Sequence, residues 1–163
     1  MNRLLLAAAL LAAFLIAPAH AQTQVGDWTV EKRTQDTHCN ASRGYKDAED
    51  ENNQYGIVLS YSSDKIVVVI IYEGWEWEKT GDILKADFAT DNVDIKKKSK
   101  WEVMDKTTVR GVFEFDQAVV DAMSKAKRLT LDFEDDDDDS IEFQTPRAGE
   151  ALAALKYCEE NKK

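Results

Sequence analysis

The sequence predicts a mainly β protein, an antiparallel β-sandwich or open barrel in which two short α-helices cover an edge or an end. Two observations lead to this prediction. Most apolar segments alternate with polar residues at a period of two, which is typical of strands with one face in water. Only two segments have apolar residues spaced three and four apart, as amphipathic helices do, and the chain contains no internal repeat.

The predicted strands begin with the weakly alternating segment Asp27–Arg33 and continue with Tyr55–Tyr61. The next segment, KIVVVIIY (Lys65–Tyr72), is apolar at both parities and rich in β-branched residues, which predicts a central strand covered on both sides. Four later segments alternate. Their predicted inward residues are Leu84, Ala86 and Phe88, then Val109, Gly111, Phe113 and Phe115, then Leu129, Leu131 and Phe133, and finally Ile141 and Phe143.

The first predicted helix is DQAVVDAMSKAK, with Asp116 placed to cap its N-terminus and lysines in its last turn. The second begins TPRAGEALAALKYC, with Thr145 as the N-cap and Pro146 at the first helical position. The apolar stripe of this helix includes Cys158, which is therefore expected to point toward the core.

The start of the chain has the pattern of a cleavable secretory signal. An apolar run from Leu4 to Ile16 is followed by a proline and by a small-residue site that ends at Ala21. The run is shorter than the ~20 apolar residues that span a bilayer, and no second run of spanning length follows. We therefore expect residues 1–21 to be removed, residues 22–163 to form a single β-rich domain, and the protein to be periplasmic or secreted.

The chain has two cysteines, Cys39 and Cys158. In an oxidising compartment such a pair is usually one disulfide, which here would join the start of the domain to its last helix. Metal ligation and redox catalysis are the alternatives. Neither is favoured, because the chain has no Cys-x-x-Cys spacing and His38 is the only histidine after the signal. The prediction is a structural disulfide and no cofactor.

The charge of the chain limits its partners. With 31 acidic and 21 basic residues it has a net charge of −10. An acidic surface of this size repels nucleic acid and anionic membrane. We therefore expect no nucleic-acid partner and no membrane insertion after signal cleavage, and the charge would suit a basic partner.

The segment YEGWEWEKTGD (Tyr72–Asp82) is the first candidate binding site. If it is a strand, Glu73, Trp75 and Trp77 share one face. Indoles beside a carboxylate often grip sugar rings or basic peptides. The competing interpretation places both indoles in the core, because burying each one removes on the order of 150–250 Å² from water. The core interpretation is favoured, with Trp75 expected to be the more exposed of the two.

The segment FEDDDDDS (Phe133–Ser140) is a candidate cation site. Asp135, Asp137 and Asp139 fit the first three ligand positions of an EF-hand, but Ser140 replaces its turn glycine and a proline stands where its bidentate glutamate belongs. The segment is therefore not an EF-hand, and no metal site is predicted. A weak divalent site is kept as the alternative to a charged hairpin loop that prevents strand edges from pairing with other molecules.

The segment DIKKKSKW (Asp94–Trp101) concentrates lysine in an otherwise acidic chain, at Lys96, Lys97, Lys98 and Lys100. It is too short and isolated for a nucleic-acid patch. One interpretation is a binding patch for an anionic polymer or an acidic partner. The other, which is more common for such a run, is a solvated hairpin tip.

No catalytic residue is predicted. A serine-histidine-acid arrangement would depend on His38, which abuts the expected disulfide and has no motif serine near it in the sequence. The chain has only seven glycines and no phosphate-binding glycine loop. A glycosidase-type carboxylate pair is the remaining possibility for catalysis, but the abundance of acids is no evidence for one. The protein is therefore expected not to be an enzyme.

Several short motifs resemble small secreted proteins of alphaproteobacterial type that are distantly similar to the invasion-associated locus B family. They are GDWTV, HCNASRGYKD, WEWEKTGD followed by ILKADFATDN, and AKRLTLDF leading to ALAALKYC. The resemblance spans most of residues 25–158, although Asp91-Asn92 stands where that group usually has Asp-Gly. It implies a periplasmic or secreted β-sandwich with one N-to-C disulfide and no assigned catalytic residues.

Together these features predict an exported, non-enzymatic protein that binds a protein partner or an envelope component. The alternative is a carbohydrate- or peptide-binding module that uses an aromatic sheet face at Glu73, Trp75 and Trp77.

Overall fold

The computed structural model describes residues 22–33, 35–47, 53–134 and 140–162. These residues form ten strands and two helices. The strands are β1 (Thr23–Val25), β2 (Trp28–Glu31), β3 (Asn40–Lys46), β4 (Gln54–Tyr61), β5 (Lys65–Tyr72), β6 (Ile83–Thr90), β7 (Asp94–Asp105), β8 (Thr108–Glu114), β9 (Arg128–Phe133) and β10 (Ile141–Gln144). The helices are α1 (Gln117–Lys125), between β8 and β9, and α2 (Ala148–Asn161), after β10.

The ten strands form one antiparallel sheet in the order β1-β2-β3-β4-β5-β8-β7-β6-β9-β10, and the sheet is not closed. Alternate residues of its strands point to one side, here called the inner face, and join a single hydrophobic core. The predicted inward residues of β6, β8, β9 and β10 lie on this face, most of them fully buried. The prediction of a mainly β, antiparallel fold is confirmed.

The sheet curls so that its two halves face each other. The Phe143 ring of β10 lies 5.6 Å, between centroids, from both Tyr45 of β3 and Tyr55 of β4. The Tyr45 hydroxyl also donates a hydrogen bond of 2.7 Å to the Gln144 carbonyl. These contacts join strands that are far apart in the strand order. The edge strand β10 therefore lies across the inner face of β3 and β4.

The helices cover one side of this curl. Helix α2 packs against α1 and against β1, β2 and β3, and its buried residues include Ala151, Leu152 and Leu155. The Trp28 indole of β2 donates to the Pro146 carbonyl just before α2, at 3.0 Å. No helix among the described residues is both long enough and apolar enough to cross a membrane.

The disulfide prediction is confirmed: Cys39 and Cys158 are bonded, with an S–S distance of 2.04 Å. Cys39 directly precedes β3 and is fully buried, and Cys158 lies in the last turns of α2. The bond therefore ties the N-terminal part of the sheet to the C-terminal helix.

One of the two predicted helix caps is correct. The Asp116 carboxylate accepts a hydrogen bond from the Ala118 amide at 2.8 Å and caps α1 as expected. Thr145, however, does not cap α2. Its buried hydroxyl donates to the Ala126 carbonyl at 3.1 Å, and α2 begins only after Arg147, whose backbone is left-handed. The prediction that Pro146 occupies the first helical position is therefore also wrong.

Strand β5 has the predicted bounds and lies near the centre of the sheet, but it is not covered on both sides. Ile66, Val68 and Ile70 are buried on the inner face. On the outer face Ile71 is 37 % exposed, and the two outer valines of β5 are half-buried. Among the described residues the core lies on one face of the sheet, and the outer apolar residues of β5 are left partly exposed.

Candidate functional site

The outer face of the central strands carries a continuous group of apolar side chains, here called the outer patch. It consists of Val58 of β4, Val67, Val69 and Ile71 of β5, and Val112 of β8. The register makes Val58 the partner of Val69, and Val67 the partner of Val112, so these residues adjoin one another. The most exposed members are Val112, at 47 %, and Ile71, at 37 %. Outer positions of an antiparallel sheet with one buried face are normally polar.

Shallow hollows lie on either side of the start of β5. One, of about 230 Å³, is lined by Val67, Ser60 and His38 among others. The second, of about 500 Å³, is lined by Val112 and Glu114 among others. The outer patch is therefore bordered by two shallow hollows, to which it contributes Val67 and Val112.

The lysine run does not form a hairpin tip, and that interpretation is wrong. It is the first half of β7, a strand of 12 residues that pairs with β6 on one side and with β8 on the other. Two of its lysines bulge out of the β6 pairing. Lys98 has a left-handed backbone (φ 49°), and its amide donates to the Asp87 carboxylate at 2.6 Å. The lysine run is therefore an integral part of the sheet.

The lysines of the run have different surroundings. Lys97 pairs with Asp94 at 3.0 Å, and Lys98 with Glu134 at 3.3 Å. Lys96 is half-buried, and the bulge brings it opposite the buried Phe88 of β6. Lys100 is exposed on the outer face, where its cross-strand partner is another exposed lysine, Lys85 of β6.

Sequence reasoning missed Lys85. The alternation of the segment around Lys85 predicts only that this residue points outward, and it lies 15 positions from Lys100 in the sequence. Only the register of β6 against β7 places the two lysines opposite each other.

The tryptophan segment is a loop rather than a strand, so the premise that Glu73 shares a strand face with the indoles is wrong. Strand β5 ends at Tyr72, and the chain then turns, with the Trp75 amide donating to the Tyr72 carbonyl at 3.1 Å. The Glu73 amide donates to the Gln54 carbonyl at 3.0 Å. The Glu73 carboxylate in turn accepts a hydrogen bond from the Gln54 amide at 2.9 Å. Glu73 therefore caps the start of β4 instead of joining an aromatic face.

Trp75 is buried, at 3 % exposed, which confirms the core interpretation for this residue. Trp77 is half-buried, so the expectation that Trp75 would be the more exposed indole is wrong. The ring of Phe133 contacts both indoles, with centroids 5.7 Å from Trp75 and 5.4 Å from Trp77. Both indole N–H groups are buried without a hydrogen-bond partner.

Asp135, Asp137 and Asp139 lie outside the described residues, so the weak divalent-cation alternative stays a prediction. Among the residues that are described, no group of three or more His, Cys, Asp or Glu side chains is arranged to hold a metal ion.

A charged cluster lies beside the disulfide. The Glu159 carboxylate accepts the Cys39 amide at 3.0 Å, lies 2.7 Å from His38 Nδ1, and bonds the Lys162 ammonium. Burial acts to raise the pKa of Glu159, but the hydrogen bonds from Lys162, the Cys39 amide and His38 outweigh it and hold that pKa below its ordinary value. The cluster fastens the end of α2 to the start of β3 next to the covalent bond.

The fold and these surfaces define the class of protein: an open, curled antiparallel sheet with one N-to-C disulfide and an apolar patch on its outer face. Comparison of the chain with family models, with curated proteins and with solved structures finds no match. The resemblance to the locus B type of secreted proteins therefore stays a prediction.

Proposed function

We propose that this is an exported, non-enzymatic protein that acts by binding a protein partner, and that the outer patch is its binding surface. The observation that carries the proposal is the group of adjoining apolar side chains on the outer face of β4, β5 and β8, against which no core packs in the part of the chain that the structure describes. Contiguous exposed apolar surface is typical of protein–protein contact sites. The partner contributes apolar side chains that cover the patch.

Export to the periplasm or beyond is part of the same proposal. The disulfide supports it, because such bonds persist in oxidising compartments. The signal pattern of residues 1–21 supports it from the sequence alone. The absence of catalysis is proposed on the sequence, which has no nucleophile or phosphate-binding motif.

The apolar area that the outer patch leaves in water could still stabilise a complex. Burying apolar area stabilises by roughly 25 cal/mol per Å². Val112 and Ile71 keep 47 % and 37 % of their area in water, so this gain is still available to a complex. A standard interface buries ~800 Å² per partner. Five side chains cover only the centre of such an area, so the surrounding polar residues must also contribute.

The carbohydrate- or peptide-binding alternative now involves fewer residues than the sequence suggested, because Glu73 lies away from the indoles and Trp75 is buried. It is favoured by one observation, the two buried indole N–H groups that lack hydrogen-bond partners. A ligand there would contact the half-buried Trp77 and would have to displace side chains to reach Trp75. Quenching of tryptophan fluorescence by saccharides or peptides, lost in Trp77→Phe, would support this alternative.

The main proposal is tested with the double variant Val67→Thr/Val112→Thr. Threonine keeps the β-branched shape and replaces one outward methyl group with a hydroxyl. The matched control is Val93→Thr in the turn between β6 and β7, where the valine is 50 % exposed. Circular dichroism melting first confirms that both variants fold like the wild type.

The purified proteins are then used for affinity capture from their own envelope extract, and the captured partner is titrated against each variant. We expect the double variant to bind at least about tenfold more weakly and Val93→Thr to bind normally, since each lost methyl contact costs ~0.8 kcal/mol or more. Equal binding by all three proteins would show that the outer patch is not the interface.

A further inference from the structure

We propose that the partner segment is amphipathic and acidic: its apolar side chains cover Val67 and Val112, and its carboxylates are bound by the adjoining pair Lys85 and Lys100. This inference rests on the proposed function and adds the chemistry of the partner.

The register of the sheet places the two lysines next to the outer patch. Val67 of β5 is the partner of Val112 of β8. Trp101 of β7 is the partner of Gly111, so Lys100 and Val112 follow them as neighbours on the outer face. Lys85 of β6 is in turn the partner of Lys100. Since neighbouring strands lie ~4.8 Å apart, both lysine positions are within about 10 Å of Val112.

The pair is electrostatically unusual. Like charges directly opposite each other in a sheet destabilise it, and this pair lies in a chain of net charge −10. The neighbouring cations each have an acidic partner: Arg110 bonds Glu102 at 2.5 Å, and Lys98 bonds Glu134. Within the described part of the chain, no ion pair joins Lys85 or Lys100 to an acid.

Such a pair suits a carboxylate from outside. An acid that reaches between two ammonium groups receives charge-assisted hydrogen bonds from both and removes their mutual repulsion. The apolar neighbours favour the same ligand, because a segment that covers Val112 brings its flanking side chains within reach of Lys100. A basic partner would meet these lysines with like charge. An anionic bilayer is much wider than the patch, so it would also meet the acidic remainder of the surface and be repelled, whereas a short segment meets the patch and the lysine pair.

The test uses three labelled amphipathic peptides with the same leucine positions and with Glu, Gln or Lys at the flanking positions. Binding to the purified protein is followed by fluorescence anisotropy at low and at moderate salt. We expect the Glu peptide to bind at least about tenfold more tightly than the Lys peptide, and this preference to shrink as salt is added.

Three double variants locate the preference for Glu, and a fourth tests the apolar contact. Lys85→Gln/Lys100→Gln should remove it, and Lys85→Arg/Lys100→Arg should keep it. Lys125→Gln/Lys127→Gln makes the same change in net charge away from the patch and should leave the preference intact. Val67→Thr/Val112→Thr should weaken the binding of all three peptides, because it removes the apolar contact that they share.

The outcomes separate the two proposals. If the valine variant weakens binding but the lysine variants do not alter the preference for Glu, the acidic-partner inference is wrong and the patch stays the interface. If neither set of variants matters, or no peptide binds up to millimolar concentration, the acidic-partner inference is overturned and the role of the patch is left to the capture experiment. Binding to anionic phospholipid vesicles without binding to the Glu peptide would instead indicate a lipid surface and overturn the inference.

Discussion

The disulfide offers a sharp test of how this protein is stabilised. Cys39 and Cys158 are 119 residues apart in sequence, so the bond closes most of the described chain into one loop. On the chain-entropy model a loop of this length restricts the unfolded chain by an amount worth ~5 kcal/mol at 25 °C. Reduction should therefore remove a large share of the 5–15 kcal/mol that is typical of folded domains.

The size of the loss is checked by urea unfolding of the oxidised protein and of the protein reduced with a phosphine. We expect the free energy of unfolding to fall by ~4–5 kcal/mol and the melting temperature by ~10–20 °C. The urea dependence of the free energy should become steeper, because the reduced chain expands further when it unfolds. The reduced wild type is a cleaner comparison than alanine variants, since Cys39 is fully buried and its truncation would add the cost of a cavity.

The charged cluster around Glu159 lets the reduced protein be compared with the oxidised protein in the same fold. It keeps α2 attached to β3 after reduction, so the native fold should survive under mild conditions. A loss below about 2 kcal/mol with an unchanged urea dependence would refute the reasoning. It would mean that the cross-link does not restrict the unfolded ensemble.

Three further predictions concern packing and titration. Glu159→Gln should destabilise the protein by ~1–3 kcal/mol at pH 7. Because folding holds the pKa of Glu159 below its ordinary value of 4.5, the ionised carboxylate stabilises the fold above that value, and the difference between the two proteins should shrink as the pH falls below 4.5 toward the lowered pKa. A difference that is the same at pH 7 and at every acid pH where the protein still folds would contradict it. At Gly111 an added Cβ would lie 2.8 Å from the Phe113 ring, whereas at Gly44 it would meet nothing within 4 Å. Gly111→Ala should therefore cost ~1–3 kcal/mol and Gly44→Ala less than about 1 kcal/mol in thermal melts, and equal effects would count against the packing. Burial raises the pKa of Tyr61 to about 12, so its contribution to stability should be present below pH 10 and lost between about pH 10 and 12. Absorbance at 295 nm should show a tyrosine that ionises only at the upper end of that range in the wild type and is missing from Tyr61→Phe.

The elements that the sequence predicts well are those whose determinants are local. The alternation of Val109, Gly111 and Phe113 places them on the buried face of β8, and the core confirms it. The cap of α1 depends on Asp116 and an amide two residues later, so short-range sequence contains the information. The disulfide was predictable because only one pairing of two cysteines exists.

The predictions are wrong where contacts with a distant part of the chain determine the local conformation. Thr145 looks like a helix cap, but its hydroxyl is taken by the Ala126 carbonyl, 19 residues earlier. The tryptophan segment alternates like a strand, but the chain turns after Tyr72, and Trp75 packs instead on Phe133 of β9. Periodicity alone cannot show such a turn, because the indoles find their partners only after the sheet has curled.

The candidate site was likewise predictable only in part. The sequence shows the apolar character of β5 at both parities and the concentration of lysine before Trp101. It does not show that half of the apolar residues stay outside the core, nor that Lys85 lies opposite Lys100.

By itself, then, the sequence determines the mainly β fold class, the parity of most strands, the first helix and the single disulfide, because each depends on residues close together or on a unique pairing. The tertiary structure decides the strand order, the start of α2, the burial of the indoles and the surface that adjoins the lysine pair. These depend on strand register and on which face of the sheet receives the helices. Both are set by contacts between residues far apart in the chain.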